Sequence, residues 1–192
     1  MKGNTLYPVF IKLDEVNTLI VGGGNVALEK LEALLKNNPN ANVLLVAPKF
    51  KKAIQNIAYN YHNIEIVWKH YQATDLQSKQ LVIAATDDPI LHELIRADAK
   101  ARNILVNVAD TPNLCDFYLG ATVKKGDLKI GISTNGKSPT FAKRLKEVFN
   151  ASLSEDIEEL LEHLHKVRNR LKGDFTSKVK TLNELTKELV KP

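Results

Sequence analysis

A short apolar run that ends in three consecutive glycines limits this chain's fold more than any other feature. Thr18-Leu-Ile-Val21 reads as a buried strand, Gly22-Gly-Gly24 as a sharp turn, and the residues from Asn25 onward as an amphipathic helix. Gly22, Gly24 and Ala27 fall at G-x-G-x-x-A spacing, and each small residue has a task. The first allows the tight turn, the second lets the backbone approach a pyrophosphate, and the third lets helix and strand pack closely. Leu28, Leu31, Leu34 and Leu35 repeat at helical spacing up to Asn37-Asn38-Pro39. The free N–H groups and positive dipole end of that helix therefore face the glycines, an arrangement that holds a phosphate. Glycine-rich turns of this kind occur in many α/β chains, so the rest of the sequence has to decide.

Val43-Leu-Leu-Val-Ala47 is a second continuous apolar run about twenty residues past the glycines, as a parallel strand covered on both faces requires. Ile64-Glu-Ile-Val67, Leu81-Val-Ile-Ala-Ala85 and Ile104-Leu-Val-Asn-Val108 read as three more strands. After the fourth, Thr86-Asp-Asp-Pro89 supplies a capping Asp and a proline at the first helical position. Strands alternating with helices predict an α/β fold with a doubly wound parallel sheet, whose ligands sit at the carboxyl ends of the strands. Gly22 to Asn25, Ala47 to Lys49, Thr86-Asp87 and Asn107 to Asp110 all fall at such ends, and one crevice is expected to collect them.

No apolar run reaches membrane-spanning length and the N-terminus lacks the basic-then-apolar pattern of a secretory signal, which predicts a cytoplasmic protein without a membrane partner. A lone cysteine, Cys115, excludes a disulfide within one chain, and a small packed side chain near a turn is its expected role. The net charge of +5 is concentrated in the middle, where residues 113 to 150 carry seven basic and three acidic side chains. That segment reads as two strands joined at Gly126-Asp127, a loop Asn135-Gly-Lys-Ser-Pro139, and a helix bearing Lys143, Arg144 and Lys146. Such a basic stretch suits an acidic small molecule, while an ordinary solvated face is the plainer reading. Nucleic acid is disfavoured, because no aromatic residues interleave with the lysines.

Beyond residue 150 the pattern is helical. Ser152-Leu-Ser-Glu155 offers a capping box, and Ile157, Leu160, Leu161, Leu164, Val167 and Leu171 repeat up to Gly173. A last helix is expected to align Val179, Leu182, Leu185 and Leu189. These stripes need a surface to cover them, and a partner subunit is one candidate.

Four motifs, Val21-Gly-Gly-Gly-Asn-Val-Ala27, Ala84-Ala-Thr-Asp-Asp88, Asn107-Val-Ala-Asp110 and Ile132-Ser-Thr-Asn-Gly-Lys-Ser-Pro139, occur in an order and spacing that resembles the siroheme-synthase family. The resemblance runs from about residue 5 to 190. It implies a Rossmann-like NAD-binding domain (1–112), a small strand-containing dimerisation and substrate-binding segment (113–150) and a C-terminal helical region (151–192). It also implies oxidation of precorrin-2 to sirohydrochlorin with NAD, a second activity inserting ferrous iron to give siroheme, and a homodimer. Precorrin-2 carries eight carboxylates, which matches the basic middle segment.

For the site, Gly22, Gly23 and Gly24 are the expected cofactor-binding turn, and the family pattern adds Asn25, Val26, Pro48 and Lys49. Thr86 and Asp87 join them by the strand-end argument. No Asp or Glu ends the second strand, where a carboxylate would bind the ribose hydroxyls of NAD; Lys49 stands there, a residue type able to accommodate the extra phosphate of NADP, so NADP is the minority alternative and the resemblance favours NAD. Asp110 matches the family's essential aspartate and is the expected catalytic residue, as general base, as orienter of the macrocycle and as acceptor of pyrrole protons in chelation. A plain turn at Asp110-Thr-Pro112, with the carboxylate bonding its own backbone, is the alternative. Asn107, Thr134, Lys137 and Ser138 are the expected substrate contacts, with a simple helix cap as the competing role of Ser138; Thr134 stands where some relatives have a phosphorylatable serine. His62, His70, His92, His163 and His165 are scattered and expected at the surface or in caps, so no metal site is read from them. Two rivals remain at this point: a dinucleotide-sensing module without catalysis, and a chelatase that has lost oxidation.

Overall fold

The computed structural model describes residues 3–171 and 174–187, so Gly173 and Leu189 lie outside the described residues. The chain forms two compact units, one of residues 7–119 and one of residues 120 onward together with the described residues before Tyr7.

The first, Tyr7–Leu119, is the predicted doubly wound sheet. Its elements are β1 (Asn17–Val21), α1 (Asn25–Asn37), β2 (Asn42–Ala47), α2 (Lys52–Asn60), β3 (Ile64–Trp68), β4 (Leu81–Ala84), α3 (Pro89–Lys100) and β5 (Leu105–Val108). All five strands are parallel, in the order β3-β2-β1-β4-β5. Side chains alternate across each strand, so β1 sends Ile20 to one face and Leu19 and Val21 to the other. On the first face Leu31, Leu34 and Leu35 of α1 and Ile54 of α2 pack over Val43, Leu45 and Ile83; on the second, Ile95 and Ala99 of α3 pack over Val46, Val82 and Val106. Burial on both faces is why the central strands β1, β2 and β4 read as nearly unbroken apolar runs, while the edge strand β3 carries exposed Glu65.

Register aligns the strand ends. Val21 stands beside Val46 on one side and Ala84 on the other, and Ala84 beside Val108. The four loops that follow therefore leave the sheet side by side. Because the chain winds outward from β1 in both directions, the crevice between those loops opens above β1.

The second unit holds a separate antiparallel hairpin, β6 (Ala121–Lys125) and β7 (Leu128–Ile132), then α4 (Pro139–Ser152), α5 (Ile157–Arg170) and α6 (Phe175–Leu185). Val123, Ile132 and Ala142 form its small core, with Leu145, Phe149 and Leu153 against it. The hairpin tip carries α5: Asp127 N–H donates to Glu158 Oε2 at 2.6 Å, and Lys125 pairs with Glu155.

One expectation for the tail is corrected. Ser152 and Glu155 form no capping box, because packing of Phe149 and Leu153 on the hairpin core extends α4 through Ser152, and α5 starts only after Asp156. In α6, Val179 and Leu185 are exposed, whereas Leu182 is half-buried. No helix among the described residues is long and apolar enough to cross a membrane.

Candidate active site

The glycine turn is defined by what surrounds it. Gly22 has a φ of +131°, open only to glycine at low cost, and a Cβ there would collide with the carbonyl of Ala85 at the end of β4. A Cβ on Gly23 would collide with the carbonyl of Lys49 in the loop after β2. The same loop is tied back by Lys51 N–H donating to the Gly23 carbonyl at 2.9 Å. Gly24 differs: its Cβ direction is open, and it precedes α1 without any side-chain cap and without an acidic residue in the first turn. Ala27 is fully buried, as its packing role requires. An uncapped helix start with open space beside Gly24 and no acidic residue in its first turn fits the pyrophosphate of a dinucleotide.

The flanking loops supply the other expected cofactor residues. Asn25 is exposed and its Oδ1 accepts from the Lys51 ammonium, while Val26 is half-buried against the α1 core. Pro48 and Lys49 are exposed, and Lys49 has no side-chain partner among the described residues. After β4, Thr86 Oγ1 accepts from Asp88 N–H and Asp87 projects into solvent. Asp88 caps α3 by accepting from Ile90 and Leu91, with Pro89 at the first helical position, as predicted. His92, expected at the surface or in a cap, is instead buried, with Nε2 at 3.1 Å from the Thr86 carbonyl; the first turn of α3 folds it under the loop that it holds.

Asp110 lies two residues past β5, in a turn, with a φ of +57°. The turn reading is thus correct, but the carboxylate is exposed and bonds neither backbone nor side chain among the described residues. The loop around it is pinned by groups the sequence did not single out. Asp116 Oδ2 accepts from Val106 N–H at 3.1 Å and forms an ion pair with the Arg96 guanidinium at 2.6 Å. Partial burial pushes that carboxyl up, but the Arg96 hydrogen bond, the Val106 N–H and the charge of Arg96 outweigh it and hold the pKa below the ordinary carboxylate range. Cys115 Sγ contacts the Val108 carbonyl and N–H, both at 3.2 Å, and burial raises its pKa, so the thiol stays protonated near neutrality. Arg96 and Asp116 come together only because α3 covers β5, and no periodic spacing links them. Asn107, expected to contact substrate, is buried and donates to the Phe117 carbonyl at 2.8 Å.

The remaining expected residues belong to the second unit. Thr134 Oγ1 accepts from Ser138 N–H, and Ser138 Oγ caps α4 by accepting from Phe141 N–H. Lys137 is exposed, and its ammonium has no partner among the described residues. No group of three or more His, Cys, Asp or Glu residues that could hold a metal ion occurs among the described residues.

Comparison with known proteins agrees with this picture. A family model described as putative NAD(P)-binding matches residues 9–121, and one described as the central part of a sirohaem biosynthesis protein matches residues 125–150. The siroheme synthase of Psychrobacter arcticus is 40% identical over 176 residues, which is 92% of this chain and 31% of that protein. That of Pseudoalteromonas atlantica is 34% identical over 174 residues, 91% of this chain and 37% of that protein. The chain thus spans about a third of the length of the siroheme synthases it matches. Among solved structures, SirC, a precorrin-2 dehydrogenase, superposes with a TM-score of 0.75 at 24% identity, covering 94% of this chain and 89% of that one, and so shares its fold.

Proposed function

The chain belongs to the NAD(P)-binding family, in the form of the siroheme-synthase module, and from that premise we propose that it oxidises precorrin-2 to sirohydrochlorin with NAD. One observation carries the chemistry: an exposed, unpaired carboxylate, Asp110, stands just past β5. In doubly wound sheets the nicotinamide half of the cofactor lies over the strands beyond β1 on that side, here β4 and β5. Bound NAD supplies the hydride acceptor. Oxidation also releases a proton, and in this reading Asp110 is the base that takes it. Its loop is held by Arg96, Asp116 and Cys115, so the carboxylate keeps its position without spending its own oxygens on the fold.

The substrate's carboxylate arms need cations. Lys137 is the most available of the expected contacts, since Thr134, Ser138 and Asn107 each already serve a local hydrogen bond. In this reading residues 113–150 provide the interface of a homodimer and the substrate contacts, 151–192 the helical region, and the protein works in the cytoplasm. Ferrous iron is a second substrate: its insertion displaces two pyrrole protons, and Asp110 accepts them.

The test is anaerobic incubation of the protein with precorrin-2 and NAD, following NADH and the sirohydrochlorin spectrum before and after ferrous iron is added. NAD-dependent oxidation is expected, with faster iron insertion than in the absence of enzyme. Asp110→Asn should keep the fold, because Asn also tolerates the left-handed backbone, and should slow turnover by about a hundredfold or more. Failure to form NADH or NADPH from either dinucleotide overturns the dehydrogenase reading.

A further inference from the structure

At the amino ends of the strands, the opposite end of the sheet from the glycine turn, lies a cavity that the dehydrogenase reading does not use. It measures about 430 Å³, within the range that holds small organic molecules. One wall is the single turn Ala73–Leu76 with Ser78 and Lys79, on the way into β4; the other is Arg102 to Ile104, on the way into β5. Leu81 stands beside Leu105, and Leu105 N–H donates to the Gln80 carbonyl at 3.2 Å, so the two walls are joined where they enter the sheet. The Asn17 side-chain amide donates to the Ser78 carbonyl at 3.1 Å and ties the first wall to β1. Buried Leu76 and Ile104 give the lining an apolar part.

Its polar part is rich in donors and has no acid. Lys79 is half-buried, and its ammonium has no partner among the described residues. Arg102 donates through Nη1 to the Asp98 carbonyl at 3.0 Å and forms no ion pair among the described residues. The hydroxyls of Thr74 and Ser78 likewise make no hydrogen bond among the described residues. From Leu76 through Thr86, and again from Ala99 through Ala109, the chain carries Lys79, Lys100 and Arg102 but neither Asp nor Glu. The acids just outside these stretches are bonded to other groups, Asp75 to Lys69 at 2.6 Å and Asp98 to the Tyr71 hydroxyl at 3.0 Å. Two cations and two hydroxyls around one concavity, with no carboxylate among them, match the oxygens of an anion. A bare ion would leave most of the volume and the apolar lining to water, so the ligand needs an organic body as well. We propose that this cavity binds a small organic oxyanion, a phosphate ester or a polycarboxylate, through Lys79, Arg102, Thr74 and Ser78. The site is separate from the crevice above β1 and does not depend on the dehydrogenase reading.

Nuclear magnetic resonance of the isotopically labelled chain, titrated in turn with citrate, glucose 6-phosphate and glucose, tests the proposal residue by residue. Citrate or glucose 6-phosphate is expected to shift the amide signals of Ser78, Lys79 and Arg102 saturably, with a Kd of about 1 mM or tighter, and to leave Gly22 to Asn25 unmoved. Which of the two binds more tightly separates a carboxylate from a phosphate ligand. Neutral glucose should shift nothing, and added salt should weaken the anion. Lys79→Gln and Arg102→Gln should each weaken binding about tenfold, in a chain whose other signals show it folded. No saturable shift with either anion, an equal response to glucose, a Kd unmoved by both substitutions, or shifts confined to Gly22 to Asn25 overturns the proposal and leaves the dehydrogenase reading standing.

Discussion

The Gly22-Gly-Gly24 turn and the Asn135-Gly136 turn both lead a strand into a helix, but they satisfy their surroundings differently. In the first, two glycines are pressed against backbone carbonyls of neighbouring loops and the third faces open space before an uncapped helix. In the second, Gly136 has a φ of +75° with nothing near its missing side chain, and the helix beyond it is closed by Ser138 and Pro139. One turn leaves its N–H groups to be met from outside. The other meets its own. The contrast separates glycines needed for space, for an incoming ligand, or for backbone angle alone.

The sharpest way to break this comparison is Gly23→Ala. Its Cβ meets backbone that cannot swing aside, so a loss of about 3 kcal/mol or more is expected in chemical denaturation, with dinucleotide binding lost as well. Unchanged stability would mean that close approach is not what selects glycine there. Gly24→Ala should do the reverse: stability shifts by only about 0.5 kcal/mol, while NAD affinity by calorimetry drops about tenfold or more, because the added methyl occupies the approach of the pyrophosphate. Gly136→Ala should cost about 1 kcal/mol through backbone strain and leave NAD affinity unchanged. Ser138→Ala should cost a little less, about 0.5–1 kcal/mol, visible as a small drop in Tm.

Legibility in the sequence followed the same division. The sheet unit was readable because strands buried on both faces leave unbroken apolar runs, and because Asp88-Pro89 states a helix start chemically. The glycine turn was readable because G-x-G-x-x-A spacing between an apolar run and an amphipathic helix is a compact local pattern. What escaped were contacts made by topology alone, such as Arg96 on Asp116, Lys51 on Asn25 and His92 under Thr86. The tail was misread at Ser152 because a capping motif states only local preference, and the packing of Phe149 and Leu153 overrode it. Asn107 shows the converse: its motif was seen, but its amide is bound to the Phe117 carbonyl.

The hairpin tip carries a consequence for how such chains diverge. Glu158 fills the volume that a side chain on Gly126 would take, and its carboxylate receives the neighbouring Asp127 N–H. A side chain at 126 would push the Glu158 carboxylate aside, on top of the strain of a φ of +55°, and the Asp127 N–H would then need a new acceptor. Related sequences are expected to change these two sites as a pair, so a covariation signal between them would trace the joint between hairpin and helix, two elements separated by the whole of α4.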